Sequence, residues 1–110
     1  MNDTHTDGKE RSVEDLSNLE LAEWFNEKNG CDLYEQALKL SEEQGEVSEA
    51  VLGYSGDLLF KESMNENDVR HELADLFATG YYVAALCGIE DFDGTVRARL
   101  VGNLAREGSS

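Results

Sequence analysis

Four glutamates, Glu42, Glu43, Glu46 and Glu49, fall in the stretch SEEQGEVSEA (41–50), beside apolar Leu40, Val47 and Val51. After twenty-five intervening residues a second acidic group begins, ELAD (72–75), carrying Glu72 and Asp75. On a helix, residues three apart are neighbours on one face, so Glu43 pairs with Glu46 and Glu72 with Asp75. Like charges so placed repel by a few tenths of a kcal/mol when exposed and by more when partly buried. A hard divalent cation held between two such pairs removes that cost, because magnesium takes carboxylate oxygens and water. A solvated acidic face is the competing reading, since 24 acids in 110 residues produce such pairs by chance. Gly45, inside the glutamate run, costs a helix about 1 kcal/mol relative to alanine and suits a place where something approaches the backbone.

The elements that must hold these acids are helical. The chain has no proline and no sustained strand-like alternation. Residues 1–11 read as a disordered tail, and 12–107 as one all-α domain. A first helix is expected from Val13 to Lys28, on Leu16, Leu19, Ala22 and Phe25, stopped by Asn29–Gly30. Asp32 and Glu35 suit the start of a second helix reaching Val51 or Gly53, with Leu33, Ala37, Leu40, Val47 and Val51 as its apolar positions. The stretch 53–67, rich in Gly, Ser and Asn, is a connection with room for a short helical turn. Asn67 or Asp68 is the expected cap of a third helix, Val69 to Cys87, with Gly88 as its stop. Its stripe is Val69, Leu73, Leu76, Phe77, Gly80, Tyr81 and Ala84. A fourth helix from Asp91 to Arg106 carries Phe92, Val96, Leu100, Val101 and Leu104. The expected architecture is an antiparallel four-helix bundle with the second and third helices at its centre.

Composition narrows the partners. The net charge of −15 repels nucleic-acid backbones, so polymeric DNA or RNA is not an expected partner. A nucleotide remains compatible if a divalent cation bridges it to carboxylates. Adaptation to salt and mimicry of DNA would also produce an acidic excess. No apolar run approaches the roughly 18 residues of a membrane span, and MNDTHTDGKERS does not read as a signal peptide. Cys31 and Cys87 lack metal-type spacing and read as reduced thiols of an intracellular, cytoplasmic protein. His71, three after Asp68, makes a single acid-x-x-His unit where di-iron bundles need two, so it reads as a rim or surface residue.

The order of the segments carries more than their composition. EEQGE (42–46) followed by ELAD (72–75) resembles the EExxE…ExxD signature of the MazG-like all-alpha nucleoside triphosphate pyrophosphohydrolases. QALKLSEEQGEVSEAV is similar to that family's second helix, and VRHELADLFATGYYVAALCGIE to its third. RLVGNLAR (99–106) is similar to its basic-x-x-x-Asn-x-x-Arg ending. The resemblance covers residues 20 to 106.

It implies magnesium-dependent hydrolysis, with manganese as a substitute, between the α and β phosphates of a nucleoside triphosphate. By resemblance Glu43, Glu46, Glu72 and Asp75 are the metal ligands, and Glu46 is the first choice of general base. Glu42 and Glu49 would stand outside the ligand set, as supporting residues or solvated charges. Arg99, Asn103 and Arg106 would meet the phosphates, with Lys39 and Lys61 as further candidates; arginine's planar fork suits two phosphate oxygens. Trp24, one position off its helix's stripe, is a candidate for a base or a subunit contact, whereas Phe25, Phe77 and Tyr81 read as core. The resemblance also implies a homodimer or homotetramer in which a second copy completes the bundle. Two alternatives remain open: a related enzyme acting on another pyrophosphate substrate such as phosphoribosyl-ATP, and a non-catalytic acidic interaction module.

Overall fold

A computed structural model of the chain describes residues 12–55 and 64–108. The expected tail at 1–11, and Phe60 and Lys61, lie outside the described residues. Helices account for all the regular structure described: a 3-10 turn at Val13–Asp15, then α1 (Asn18–Asn29), α2 (Leu33–Tyr54), α3 (Glu66–Leu86) and α4 (Phe92–Gly108).

Local chemistry sets the ends, and in two places it differs from the expected positions. The first helix opens at Ser17 instead of Val13. Ser17 Oγ accepts the Glu20 amide at 3.1 Å, and Glu20 Oε1 accepts the Ser17 amide at 2.8 Å. This reciprocal capping box satisfies two donors that a helix start otherwise leaves open. At the other end Gly30 takes a left-handed conformation, φ 58°, which glycine adopts without steric cost. Asp32 opens α2 as expected, its Oδ1 accepting the amides of Tyr34 and Glu35 at 2.7 and 3.4 Å. The cap of α3 is Asn65, ahead of the expected Asn67 or Asp68. Asp68 serves instead as the partner three residues in, its Oδ2 accepting the Asn65 amide at 2.8 Å while Asn65 Oδ1 accepts the Asp68 amide at 3.0 Å. Asp91, at φ 48°, accepts the Gly94 amide at 3.1 Å as α4 begins. A Cβ on Gly94 would fall 2.2 Å from the Asp91 carboxylate, so a side chain there would push that carboxylate aside from its present position.

Since α3 carries two of the candidate acids, its cap has a measurable consequence. Asn65→Ala is expected to destabilise the fold by about 1 kcal/mol. In a thermal melt that is a loss of roughly 5 °C, with α-helical content kept at low temperature.

α3 is the hub, packing along both α1 and α2. The closest approaches use small side chains: Ala22 of α1, Ala50 of α2 and Ala84 of α3 are buried. Phe25 stacks on Tyr82 with ring centroids 4.4 Å apart, and Asn26 Nδ2 donates to the Tyr82 carbonyl at 3.1 Å, joining α1 to α3. Among the described residues no large side chain is fully buried.

The buried faces therefore differ from the apolar stripes. On α2 the packed face runs through Glu43, Ala50 and Gly53, with Leu40 and Val47 half-buried beside it and Leu33, Ala37 and Val51 exposed. On α3 it runs through Thr79 and Ala84, leaving Phe77 62% exposed. Phe25 and Phe77, expected in the core, are exposed, and Tyr81 is half-buried. Among the described residues α4 packs extensively on no other helix; Tyr81 links it to α3, meeting Phe92 edge-on and donating to Asp93. Val96, Leu100, Val101 and Leu104 remain exposed. Within one chain the packed unit is three helices, with α4 alongside.

Candidate metal centre

Two adjacent helices supply the acids. Glu43 and Glu46 stand one turn apart on α2, and Glu72 comes from the second turn of α3. One carboxylate oxygen from each lies within 4.8 Å of the other two. Glu43 is buried, Glu72 half-buried and Glu46 exposed, so the cluster runs from the helix interface out to solvent.

Its inner end has an unusual feature. Glu43 Oε1 and Glu72 Oε1 are buried and, among the described residues, accept no hydrogen bond. Buried acceptors are nearly always satisfied, because leaving one unmet costs about 1–3 kcal/mol and more for a charge. Among the described residues Lys39 pairs with Glu43: its Nζ lies 3.8 Å from Glu43 Oε2, one turn back on α2 with a half-exposed side chain. A single long ion pair of this kind contributes little.

The titration of these groups follows from the same geometry. Burial pushes the Glu43 carboxyl above its usual range, the neighbouring carboxylates of Glu46 and Asp75 push it further, and Lys39 opposes. Glu72 is raised by burial first, then by the charges of Glu46, Asp75 and Asp68, against a small opposing effect of His71. Like-charged carboxylates are thus held together at a desolvated interface with too little positive charge to balance them.

Two uncapped, buried carboxylate oxygens beside a third carboxylate fit a hard divalent cation. All three donors are carboxylate oxygens, and among the described residues no thiol or imidazole shares the cluster.

The other residues singled out from the sequence divide around this cluster. Asp75 sits one turn after Glu72, exposed; its charge raises both Glu43 and Glu72, but it stands outside the threefold grouping. Glu42 and Glu49 are exposed and do not join it, and His71 is exposed. Among the described residues, and leaving aside its own chain neighbours and local helix backbone, nothing lies within 4 Å of a Cβ built on Gly45, so packing against another element does not account for that glycine. Arg99, Asn103 and Arg106 lie exposed on α4, where Arg106 donates to Asn103. Among the described residues, no ion pair or hydrogen bond ties Arg99 or Asn103 to the glutamates.

Comparison of the chain with protein-family models, with curated proteins and with solved structures finds no match. The site therefore rests on its own geometry.

Trp24 lies away from the acids, in an apolar groove of about 680 Å³ between α1 and α3, with Phe25, Phe77 and Tyr81 among its walls. Lys28 Nζ stands 5.8 Å from the centre of the Trp24 ring. Sequence reasoning missed Gln36, on α2 one turn before Lys39, whose Oε1 is also buried and unmet. A lone glutamine carries no pattern from which that could be read. Cys31 and Cys87 are both free thiols, and no helix among the described residues is long and apolar enough to cross a membrane.

Proposed function

We propose that the protein is a divalent-cation-dependent pyrophosphohydrolase that splits a nucleoside triphosphate between its α and β phosphates. The observation that carries the cation is the pair of buried, unmet oxygens on Glu43 and Glu72, gathered with Glu46. The substrate class rests on the ordered resemblance of EEQGE, ELAD and RLVGNLAR, and the absence of any matching family model leaves that part for experiment.

In this reading Glu43, Glu46 and Glu72 hold the cation, with Asp75 completing the set from the outer side. A bound magnesium ion supplies neutralisation of phosphate charge and a more acidic water. The protein's own work is division of labour by burial. Glu43 and Glu72, desolvated at the helix interface, bind and orient. Glu46, the solvent-facing member, is placed to take a proton from the attacking water at a carboxylate oxygen. Lys39 balances Glu43 when no cation is bound and is free to turn to a phosphate when one is. Arg99, Asn103 and Arg106 are the proposed contacts for the departing pyrophosphate. Within one chain α4 meets acid-bearing α3 at Tyr81, and no described bond ties Arg99 or Asn103 to the glutamates, so this role belongs to an assembled, completed four-helix bundle, a homodimer or homotetramer acting in the cytoplasm.

The test is product analysis. The purified protein with magnesium, given a panel of canonical, deoxy and modified triphosphates and phosphoribosyl-ATP, is expected to release pyrophosphate and a monophosphate from at least one. Chelation should abolish the release. Hydrolysis in ¹⁸O-labelled water places the new oxygen on the monophosphate or on the pyrophosphate. Nucleoside diphosphate as the main product, or no hydrolysis of any member, would overturn the assignment. Release from phosphoribosyl-ATP alone would keep the chemistry and move the substrate.

A further inference from the structure

α3 serves two sites of opposite chemistry. Its Glu72 joins the acids of α2, while its Phe77 and Tyr81 wall the groove of about 680 Å³ shared with α1. The α1 wall follows from spacing. Leu21, Trp24 and Lys28 recur three and four residues apart, so they share one helical face. Phe25 and Tyr82, stacked with centroids 4.4 Å apart, belong to the same lining. Five aromatic rings thus border one cavity of the size and apolar character of small-molecule sites, and Phe77, 62% exposed, leaves its ring open to a ligand.

Charge narrows the ligand. The chain carries 24 acids, and α1 itself has Glu20, Glu23 and Glu27, yet among the described residues no acid lines the groove. The charged residue that does line it is Lys28, whose Nζ stands 5.8 Å from the centre of the Trp24 ring. Among the described residues no carboxylate lies within ion-pair distance of that ammonium. The ring attracts the cation but leaves its charge in place. A neutral apolar ligand leaves that charge unused. A polyphosphate brings several negative charges against one lysine, in a chain of net charge −15. One carboxylate on a planar aromatic body matches both features, with ring faces for stacking or edge contact and one anion for one cation.

We propose that the α1–α3 groove is a binding site for a small planar aromatic carboxylate, its ring system against the aromatic walls and its carboxylate at Lys28 Nζ. This site is separate from the acidic cluster and needs neither cation nor nucleotide. Its test uses neither, so its failure leaves the hydrolase reading standing, and failure of hydrolysis leaves this site standing.

Trp24 is the single tryptophan, so the ¹⁵N-labelled protein shows one indole N–H signal, and that signal reports from the groove. The probes are β-naphthoate, the neutral alcohol of the same ring system and its ammonium counterpart, titrated without metal or nucleotide. Naphthoate is expected to move the Trp24 signal and to bind roughly fivefold more tightly than the alcohol, the upper range for an exposed ion pair. The ammonium probe should bind most weakly. Lys28 is exposed, so its replacement leaves the fold intact, with circular dichroism as the control. Lys28→Gln should bring naphthoate and alcohol to equal affinity, and Lys28→Glu should reverse the order in favour of the ammonium probe. Phe77→Ala should weaken all three severalfold, since it removes a wall and no charge.

Equal binding of naphthoate and the alcohol by the wild type overturns the proposal, as does a preference that survives Lys28→Gln. A Trp24 signal that no probe moves at millimolar concentration overturns it too. If that signal shifts with protein concentration and no probe reverses the shift, a second copy fills the groove. If magnesium and a nucleoside triphosphate displace naphthoate competitively, the groove belongs to the substrate. Either result overturns the assignment.

Discussion

Glu43→Ala, Glu46→Ala and Glu72→Ala are each expected to lower magnesium-dependent pyrophosphate release by roughly two to three orders of magnitude. The size follows from the charge stabilisation a bound cation gives the transition state, several kcal/mol, at 1.36 kcal/mol per tenfold in rate. The structure adds a ranking. Glu43, Glu46 and Glu72 bring carboxylate oxygens within 4.8 Å of one another, while Asp75 stands outside that grouping. Asp75→Ala should therefore cost less than the other three and be partly recovered by raising magnesium. Glu42→Ala and Glu49→Ala, at exposed positions outside the cluster, should stay within severalfold of wild type. Steady-state kinetics over a magnesium titration, with circular dichroism as a folding control, measures all six. Near-wild-type rates in both Glu46→Ala and Asp75→Ala would show that the chemistry happens elsewhere.

The second expected result is a fold that magnesium stabilises and alkalinity weakens. A ligand at a hundred times its Kd adds about 2.7 kcal/mol to stability, on the order of 10 °C in a domain of this size. The pH dependence has a definite sign. Glu43 and Glu72 have carboxyl pKa values raised from an ordinary 4.5, so the folded chain binds protons that the unfolded chain releases. Their contribution is fully present below 4.5 and is lost as pH rises through the raised values. The metal-free protein should thus melt lower at pH 7 than near pH 5. Saturating magnesium should reverse that trend, because it binds the ionised carboxylates.

Glu43→Gln isolates the effect. It replaces a buried charge, opposed only weakly by half-exposed Lys39, with a neutral group, so the metal-free variant should melt higher than wild type at pH 7, lose most of the magnesium response and show a flatter pH profile. Sodium chloride at matched ionic strength is the control. A shift that sodium chloride reproduces in full would mean general screening of −15 charges, and would return these glutamates to an ordinary solvated face.

Helix ends and the acidic pairs were legible in the sequence because they depend on neighbours a few residues away. Gly30 stops α1 and Asp32 starts α2 where their types require it. Even the misplaced starts follow local rules, since Ser17–Glu20 and Asn65–Asp68 are stronger capping pairs than the expected alternatives. The pairing of Glu43 with Glu46 follows from helical spacing alone.

Burial was not legible in this way. Apolar periodicity placed Phe25, Phe77 and Tyr81 in a core, yet the helices meet through Ala22, Ala50 and Ala84, with Phe25 and Phe77 exposed and Tyr81 half-buried. Which face of a helix is covered depends on a neighbour many residues distant and on how closely two backbones approach. The sequence by itself determined that this chain is helical, where most helices begin and end, and that two acidic pairs lie on consecutive long helices. Only the tertiary structure decided that Glu43 is the buried acid and Glu46 the open one, and that Asp75 lies outside the close cluster. It alone left an oxygen on Glu43 and another on Glu72 without a partner. Spacing along one helix sets which side chains are neighbours, but a second helix packed against them sets which lose water, and loss of water gives a carboxylate its affinity for a cation or a proton.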